Sequence, residues 1–595
     1  MRRNRAGTTV AWAGKTNSSG RSISQDEVDL RLSAERPYTY FTMELYDQKN
    51  GIRGGGGLGV LAADTRRVAE QLDVPFVLLT PFYPIEMHQV PVAGSVADFE
   101  LENVALNVHP SNNGFELIGE TYIATKFDPQ IKIEVWQKQL GSTRLLTVYD
   151  PNFRELYADE GSSNHRLYQE VVLGFAGMQA LKLAGLKSNV IQLNETACFF
   201  AALARLDDLV QNGMHIFEAL KYVRDHTLYT NHTLVQAAEA SFSRAQFAEF
   251  VLPNLQSKSV ARWTMAQFPD SEGHVKYADA HRLADNTDAP LRLSDITLEL
   301  AGQKSGVSKL HAKVANYHDL DGNRIHFDAV TNGIDVETWV LPSTVKMFRE
   351  LDLLTKYNLP THDFREKLVG LTGEKIWAQK RGGRALLVKA LGERGIQIPE
   401  GAIVFNFKRR FVDYKRPWMA FSDPERLAKI LVEADAYYIL AGRVHTGDDN
   451  MMRHLETIVA AVEANPELKK RVHYLADYDE KTAYALSVGS DAAINNPIVG
   501  LEACGTSWEK DIMNLQILIS TEDGGVADIT PAAYLKIEGE NEADEVESLY
   551  QQMERACQLL RSEELADFLQ GQVRAYLPTI SGARMLGDYL RLLAR

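Results

Sequence analysis

The sequence is poor in cysteine and has no long hydrophobic stretch. Its three cysteines, Cys198, Cys504 and Cys557, lie far apart and form no Cys-x-x-Cys pair. This spacing excludes a disulfide framework and a zinc module, fits a reducing compartment, and predicts no metal site. No run of about 18 apolar residues is present, so no membrane span is expected. The N-terminus also lacks the apolar core of a signal peptide, and cytoplasmic localisation is the expectation.

Positive charge is outnumbered as well, because 64 Lys and Arg residues face 79 Asp and Glu residues and give a net charge of −15. This balance argues against a surface that binds nucleic acid or anionic membranes as a whole. The length of 595 residues, at about 100–200 residues per domain, indicates more than one domain. A local basic cluster against the acidic background is therefore informative.

Apolar strands alternate with amphipathic helices in two successive stretches of the chain. Residues 1–36 are rich in Arg, Gly, Ser, Thr and Asn and are predicted to form a disordered leader. From Tyr38 onwards a strand, a Gly-rich turn, a helix and a second strand form a βαβ unit, which implies a parallel sheet. We predict an α/β protein with two facing, doubly wound Rossmann-like domains, 37–340 and 341–595, the second ending in helices. Ligands of such domains bind in the cleft between them, at the carboxyl ends of the strands.

Three segments have the composition of anion-binding sites. The glycine run Gly54–Gly59 precedes a helix, and its less favoured interpretation is a simple tight turn. The basic segment 408–416, KRRFVDYKR, directly follows an apolar strand, and its alternative interpretation is a solvated basic edge. For this segment we favour the anion site, because it falls at a predicted ligand-binding end of a strand. The turn Gly505–Ser507 opens a helix that carries Lys510, which taken alone would be an ordinary surface lysine.

Taken together and in this order, eight segments resemble the glycogen and α-glucan phosphorylase family. They are YFTMEL, GGLGVLAAD, VIQLNE, TNHT, GVSKLH, VTNGI, KRRFVDYKR and EACGTSWEK, and the resemblance extends from about Tyr38 to Asp523. It implies the GT-B fold of a retaining glycosyltransferase, with two Rossmann-like domains across a deep cleft. It also implies transfer of a glucosyl unit between phosphate and an α-1,4-glucan. The implied cofactor is pyridoxal 5'-phosphate, which is held as a Schiff base and acts through its phosphate group.

The resemblance also implies roles for individual residues. The catalytic residues would be Arg410, Lys415, His232 and Lys510. The cofactor pocket would consist of the Schiff-base residue Lys510 together with Arg409, Gly505, Thr506, Ser507, Tyr46, Tyr478 and Gly57. The substrate site would consist of Gly56, Gly57, Asn332, Glu502, Ala503, Cys504 and Gly505. Within this set, Arg409 and the turn Gly505–Ser507 would cradle the cofactor phosphate, and Arg410 and Lys415 would clamp the substrate phosphate.

The chain departs from the family pattern at several positions. Trp508 and Glu509 precede the lysine where the family usually has Gly-Met or Asn-Met, and Leu515 follows Asn514 where the family has glycine. Ala197 stands where the family has histidine. These departures lie on the sugar and acceptor side of the resemblance, so the acceptor stays open between an α-glucan, a short oligosaccharide and a small molecule.

Three hypotheses about function follow from the sequence. The first is a phosphorylase-like α-glucosyl transferase that uses pyridoxal phosphate and glucose 1-phosphate. The second is a glycosyltransferase on the same fold that uses a nucleotide-sugar or sugar-phosphate donor without the cofactor. The third is an inactive sugar-binding protein. The expected partners are phosphate and a small sugar or oligosaccharide, without nucleic acid or membrane, and a homodimer is the assembly that the resemblance implies.

Overall fold

A computed structural model describes residues 32–594 apart from interior gaps. The gaps are 92–98, 106–108, 155, 157–162, 234–239, 269–289, 319–322, 445–447, 477 and 530–532. The predicted leader, 1–36, thus lies outside the described residues except for its last five positions. None of the helices in the described ranges is both long and apolar enough to cross a membrane.

The N-terminal half is built on a nine-stranded sheet. The strands of this half are β1 (Tyr38–Thr42), β2 (Leu45–Asp47), β3 (Ile52–Gly54), β4 (Phe76–Pro81), β5 (Ile85–Pro91), β6 (Phe99–Ala105), β7 (Glu116–Ile123), β8 (Ile131–Leu140), β9 (Thr143–Tyr149), β10 (Ile191–Asn194), β11 (Thr227–Asn231), β12 (Ser241–Phe242), β13 (Leu291–Arg292), β14 (Gln303–Gly306) and β15 (Asp328–Ala329). The large sheet has the order β15-β14-β11-β10-β1-β4-β9-β8-β7. Pairing is parallel from β15 to β9, and β8 and β7 extend the sheet in antiparallel pairs. The central strand β1 is buried at all five positions, as expected for a strand covered on both faces.

Helices cover this first sheet and form two apolar layers around it. They are α1 (Gly57–Gln71), α2 (Asn164–Val171), α3 (Gly177–Leu183), α4 (Phe199–Gln211), α5 (Ile216–Asp225), α6 (Arg244–Gln246), α7 (Lys258–Met265), α8 (Leu293–Leu300), α9 (Lys309–Val314) and α10 (Val336–Trp339). A π-helical turn, Val172–Ala176, joins α2 to α3. The helical segment from Asn164 to Leu183 is therefore continuous, but it has a widened turn at its centre.

The C-terminal half repeats the parallel arrangement in a six-stranded sheet. Its elements are α11 (Pro342–Glu350), α12 (Phe364–Lys367), α13 (Gly373–Gly392), β16 (Ile403–Lys408), α14 (Pro424–Glu433), β17 (Ala436–Ala441), α15 (Asp449–Ala464), α16 (Pro466–Arg471), β18 (Val472–Leu475), α17 (Glu480–Gly489), β19 (Ala492–Asn495), α18 (Ser507–Met513), β20 (Ile517–Ser520), β21 (Leu535–Lys536), α19 (Glu542–Leu560), α20 (Leu565–Ile580) and α21 (Gly582–Leu593). The strand order is β18-β17-β16-β19-β20-β21, and every pair is parallel. This is the doubly wound order in which the first strand lies at the centre. The predicted α/β, GT-B-like class with two Rossmann-like sheets is confirmed.

The chain crosses between the halves more than once. The last helix, α21, returns to α1, and its Leu586 and Tyr589 are buried in the same apolar cluster as Tyr38 and Tyr40 of β1. Backbone hydrogen bonds hold this return, because the Gly582 amide donates to the Ile334 carbonyl at 2.8 Å. The final helix thus packs with the N-terminal sheet. The predicted domain boundary between residues 340 and 341 stays a prediction.

Candidate active site

Residues from both halves meet at the carboxyl ends of the parallel strands. From the N-terminal half come loops that follow β1, β11, β14 and β15, and from the C-terminal half come loops that follow β16, β18 and β19. The contact is direct, because Ser308 Oγ donates to the Ala503 carbonyl at 2.7 Å and Asn332 Nδ2 donates to the Cys504 carbonyl at 2.9 Å. Strand ends of parallel sheets are where ligands bind in such folds, so this junction is the candidate active site.

A buried cluster of charge lies directly after β16. Arg409 Nη2 donates to Glu502 Oε2, and Lys415 Nζ lies 3.7 Å from the same oxygen. Arg410 is exposed beside them and makes no hydrogen bond or ion pair with any other described residue. Its charge nevertheless acts on Glu502 and Lys415. Three cations thus converge on a single carboxylate.

Burial acts in opposite directions on the pKa values of Lys415 and Glu502. It lowers the pKa of Lys415 to about 7, although Glu502 favours the charged ammonium. Burial alone would raise the pKa of Glu502, but Lys415 and Arg409 more than offset it and hold the pKa below its ordinary value. The carboxylate is therefore ionised at neutral pH, and an anionic ligand would raise the proton affinity of Lys415.

Arg409 keeps donor nitrogens free in this buried position. Its side chain is 2% exposed, yet Nε and Nη1 have no hydrogen-bond partner among the residues that the structure describes. Gly505 lies against it, because a Cβ atom at Gly505 would approach Arg409 Nη2 to 3.0 Å and Glu502 Oε1 to 3.1 Å. A buried guanidinium with two unused donors fits an oxyanion, since unpaired buried donors are costly. The adjoining Thr506 and Ser507 begin the helix that carries Lys510.

The amine of Lys510 lies apart from this charge cluster. Lys510 is 7% exposed, and its Nζ lies 3.3 Å from the centroid of the Trp339 ring. Burial lowers its pKa to about 8, with Asp64 the largest opposing influence. Tyr46 and Tyr478 act on each other electrostatically, and Tyr478 Oη donates to the Lys408 carbonyl at 3.3 Å. These tyrosines therefore lie near the same end of β16, and their role in a cofactor pocket stays a prediction.

The glycine loop approaches an acidic residue that the sequence analysis did not single out. The Gly56 amide donates to Glu44 Oε2 at 2.7 Å. Gly55 has a φ of 144°, and a Cβ there would come within 2.8 Å of the Glu44 side chain, so this backbone position requires glycine. Gly57 begins α1, and nothing lies within 4 Å of the position that its Cβ would occupy. The loop thus leaves open space at the start of α1.

Neutral polar groups line the opposite side of the junction. Burial, followed by the charge of His311, lowers the pKa of His232 to about 3. The neutral imidazole places Nε2 at 3.2 Å from Asn194 Oδ1 and so donates a hydrogen bond there. Asn332 Oδ1 is buried without a partner. His232, Asn332, Ala503 and Cys504 thus form a region without net charge, which suits the hydroxyl groups of a sugar.

Comparison with known proteins identifies the family. The sequence profile named Carbohydrate phosphorylase matches residues 168–575. The chain belongs to the carbohydrate phosphorylase family. This membership confirms the resemblance inferred from the eight motifs.

Individual relatives of this phosphorylase family member are distant. The chain is 26% identical to the maltodextrin phosphorylase of Thermococcus litoralis over 82% of its own length and 61% of that protein. It is 26% identical to the glycogen phosphorylase of Mycobacterium tuberculosis over 84% of its length and 62% of that protein. The glycogen phosphorylase of Aquifex aeolicus is 24% identical over 90% of this chain and 82% of that protein. The chain thus spans less than two thirds of the length of the first two relatives.

The departures from the phosphorylase pattern have visible structural consequences. Trp508 is 2% exposed and packs edge-on against Tyr576, with the ring centroids 5.3 Å apart. Leu515 adopts a φ of 62°, a left-handed conformation that costs a leucine about 1–2 kcal/mol and a glycine nothing. Glu509 is fully buried, and neither of its carboxyl oxygens has a hydrogen-bond partner among the described residues. Trp508 is therefore a packing residue, whereas Glu509 is a buried acid that the charges of Arg584 and Lys510 offset only in part.

We expect Glu509→Met to stabilise the protein by about 1–3 kcal/mol at neutral pH, because the change removes an unpartnered buried polar group. Burial raises the pKa of Glu509 well above its ordinary value. The unfolded chain therefore holds fewer protons than the folded one between pH about 4.3 and the raised value, and the penalty grows with pH in that window. Thermal unfolding should show a larger gain at pH 7 than at pH 5.

Glu170→Met is the matched control for this stability measurement. Glu170 is also fully buried, but Arg166 Nε donates to its Oε1 at 3.0 Å. Removing Glu170 takes away a charged hydrogen-bond partner of Arg166 and should lower the unfolding temperature. A lowered unfolding temperature for Glu509→Met itself would contradict the interpretation that the burial of Glu509 costs stability.

Proposed function

We propose that this protein catalyses retaining α-glucosyl transfer between phosphate and a glucan, short oligosaccharide or small acceptor, with glucose 1-phosphate as the phosphorylated sugar. The observation that carries the proposal is the buried guanidinium of Arg409, which keeps two donor nitrogens free beside Lys415 and Arg410. A second support is membership in the carbohydrate phosphorylase family. Three cations gathered around the single carboxylate of Glu502 leave an excess of positive charge in an acidic protein, and dense positive charge is what two adjacent phosphate groups require.

In this proposal the charged and the neutral sides of the junction have different tasks. Arg410 and Lys415 hold the substrate phosphate and stabilise the charge that develops when the glycosidic bond breaks. His232, Asn332 and Cys504 orient the glucosyl unit through neutral contacts. Glu502 accepts hydrogen bonds from sugar hydroxyl groups once an anion has drawn Arg409 and Lys415 away from it. No pair of carboxylates of the glycosidase type is then needed.

The residues present fit pyridoxal phosphate as a cofactor. The free nitrogens of Arg409 and the turn Gly505–Ser507 would hold its phosphate, and the tyrosines Tyr46 and Tyr478 would border its ring. Lys510 has a pKa of about 8, so part of the protein population carries a neutral Lys510 amine at pH 7. The neutral amine can react with an aldehyde. When bound, the cofactor would supply a second phosphate group beside that of the substrate.

The test of this assignment is Lys510→Ala. We expect the purified wild-type protein to show the absorbance band of a lysine-bound pyridoxal group, and borohydride reduction to fix the label on the peptide that contains Lys510. The variant should keep its fold and lose the band completely, because no other amine occupies that position. Lys481→Ala, an exposed lysine of the same half, is the matched control and should retain the label.

The outcome also separates the proposal from its two alternatives. A colourless wild-type protein that still transfers sugar would favour a cofactor-independent glycosyltransferase. A protein that binds sugar but releases no phosphate from glucose 1-phosphate with any acceptor, from glucose to glycogen, would favour a binding protein. A Lys510→Ala protein that still carries a covalent cofactor would overturn the assignment of this lysine.

A further inference from the structure

Three buried residues form one cluster around the Trp339 indole, with Trp339 and Asp64 from the N-terminal half and Lys510 from the C-terminal half. Trp339 lies at the end of α10 and Asp64 lies within α1, and neither is more than 1% exposed. The indole Nε1 of Trp339 donates to Asp64 Oδ1 at 3.0 Å and to Oδ2 at 2.9 Å. The face of the same ring lies 3.3 Å from Lys510 Nζ. One aromatic ring thus joins a carboxylate at its edge to an ammonium on its face.

A single side chain fixes the distance between the ring and the lysine. Asn514 Nδ2 donates to the Trp339 carbonyl at 2.9 Å and to the Lys510 carbonyl at 2.8 Å. Asn514 Oδ1 accepts from the Leu341 amide at 2.9 Å. The backbones that carry the indole and the amine are therefore tied together. The contact between Lys510 and Trp339 therefore depends on these backbone hydrogen bonds and not on the side-chain rotamer of Lys510 alone.

Asp64 is itself anchored by a network that spans the two halves. Arg67 Nη1 donates to Asp64 Oδ1 at 3.3 Å, and Arg67 Nη2 donates to Asp47 Oδ1 at 3.0 Å and to Glu480 Oε1 at 3.2 Å. These bonds join α1 to α17 and keep the carboxylate of Asp64 at the indole edge.

Other charged groups face Lys510 or Asp64 as well. They are Lys408, Glu480, Glu509, Asp511, Arg67 and Asp335. Most have a partner of their own, because Lys408 pairs with Asp511 and Glu480 pairs with Arg67. Asp64 exerts the largest Coulombic influence on Lys510. Among the charged groups, Asp64 therefore has the strongest effect on the pKa of Lys510.

We propose that Asp64 is a positioning residue of the candidate active site, which acts through the Trp339 indole to hold the Lys510 amine in place and to govern its proton affinity. The proposal deepens the proposed function and rests on it, because the basicity of this amine matters when a carbonyl group attaches there. Asp64 touches neither substrate nor cofactor in this role.

The physical reason lies in two attractions that act on the ammonium form of Lys510. A cation above an aromatic ring is attracted by the electron-rich face. A carboxylate hydrogen-bonded to the indole N–H adds negative charge to the same ring system and attracts the ammonium directly. Both favour the protonated amine and oppose burial, which lowers the pKa of Lys510 to about 8. Burial in turn raises the pKa of Asp64 to about 7, against the influence of Lys510 and Arg67.

The experiment titrates Lys510 directly in the full-length protein after hydroxylamine has released any bound aldehyde. Trace acylation with isotopically labelled acetic anhydride, which reacts with neutral amines, is followed across neutral and alkaline pH by mass spectrometry of the Lys510 peptide. Asp64→Asn keeps the shape and the hydrogen bond from the indole but removes the charge. It should lower the midpoint of the titration by about one to three pH units, because an opposite charge close by has been lost.

Asp47→Asn is the matched control. Asp47 is fully buried and bonds the same Arg67, but it is not among the groups that act on Lys510. In this variant the titration midpoint of Lys510 should stay at the wild-type value. Trp339→Phe keeps the aromatic face and removes the indole donor, so it should lower the midpoint by less than Asp64→Asn does.

An unchanged midpoint in Asp64→Asn would overturn the proposal, as would equal shifts in Asp64→Asn and Asp47→Asn. The readout also distinguishes this inference from the proposed function, because acylation needs no cofactor. A shift confined to Asp64→Asn supports the positioning role even in a protein that proves not to bind pyridoxal phosphate, whereas cofactor binding with no shift refutes the positioning role alone.

Discussion

Arg410→Ala is expected to lower kcat/KM for phosphate by about 10²–10³-fold, which corresponds to about 2–4 kcal/mol of lost transition-state stabilisation. Arg410 stands at the carboxyl end of β16, is exposed, and has no hydrogen-bond or ion-pair partner among the residues that the structure describes. Its guanidinium is therefore available to a ligand without breaking an internal bond. Its influence on Glu502 and Lys415 places it within electrostatic reach of the same site.

The measurement compares phosphate-dependent cleavage of a glucan with the binding of phosphate by calorimetry. The unfolding temperature should stay unchanged, since Arg410 makes no hydrogen bond or ion pair with another residue in the described part of the chain. Arg453→Ala is the control, because Arg453 is an exposed arginine on α15 of the same half. Equal losses of activity in both variants would mean that general positive charge attracts phosphate and that Arg410 has no shaped role.

Arg416 is unsuitable as a control although it belongs to the same basic segment. It is 4% exposed, its Nε donates to the Asn496 carbonyl at 3.0 Å, and its Nη1 pairs with Glu545. Its replacement would therefore destabilise the fold. The basic segment thus divides into cations with and cations without internal partners among the described residues, a division that the sequence pattern alone did not contain.

Much of the fold was predictable because buried parallel strands have a distinctive sequence pattern. The strands β1 and β16 are buried at every position, and most of their residues are apolar or aromatic. Since parallel strands end at one edge of a sheet, the polar residues that follow them were expected to meet. The contacts of Asn332 with Cys504 and of Arg409 with Glu502 are consistent with this expectation.

What the sequence did not reveal are pairings between residues that are remote in the chain and ordinary in type. Trp339 and Asp64 are 275 positions apart, and neither belongs to a pattern that predicts their hydrogen bond. Glu44 faces the glycine loop only because β2 and α1 fold back on each other. The sequence also does not predict that α21 returns to the first sheet, because the pattern of an amphipathic helix shows which face is buried but not which element covers that face.

The buried pair of Lys408 and Asp511 gives the second large expected effect. Lys408 Nζ donates to Asp511 Oδ1, and both residues are 3% exposed. Lys408→Met alone leaves a buried carboxylate without its partner, so we expect the free energy of unfolding to fall by about 3–5 kcal/mol. The double change Lys408→Met with Asp511→Leu replaces both charges by apolar groups of similar shape. It should restore the stability or exceed that of the wild type by about 1–4 kcal/mol.

Urea unfolding of the wild type, both single variants and the double variant measures this coupling as a double-mutant cycle. Lys469→Met is the control, because Lys469 forms an exposed pair with Glu463 and should change stability by less than about 1 kcal/mol. If the double variant loses as much as the sum of the two single variants, Lys408 and Asp511 do not depend on each other. Lys408 also lowers the pKa of Lys510 electrostatically. A stable double variant would therefore show that this ion pair is retained at the lysine helix for its charge and not for its contribution to folding.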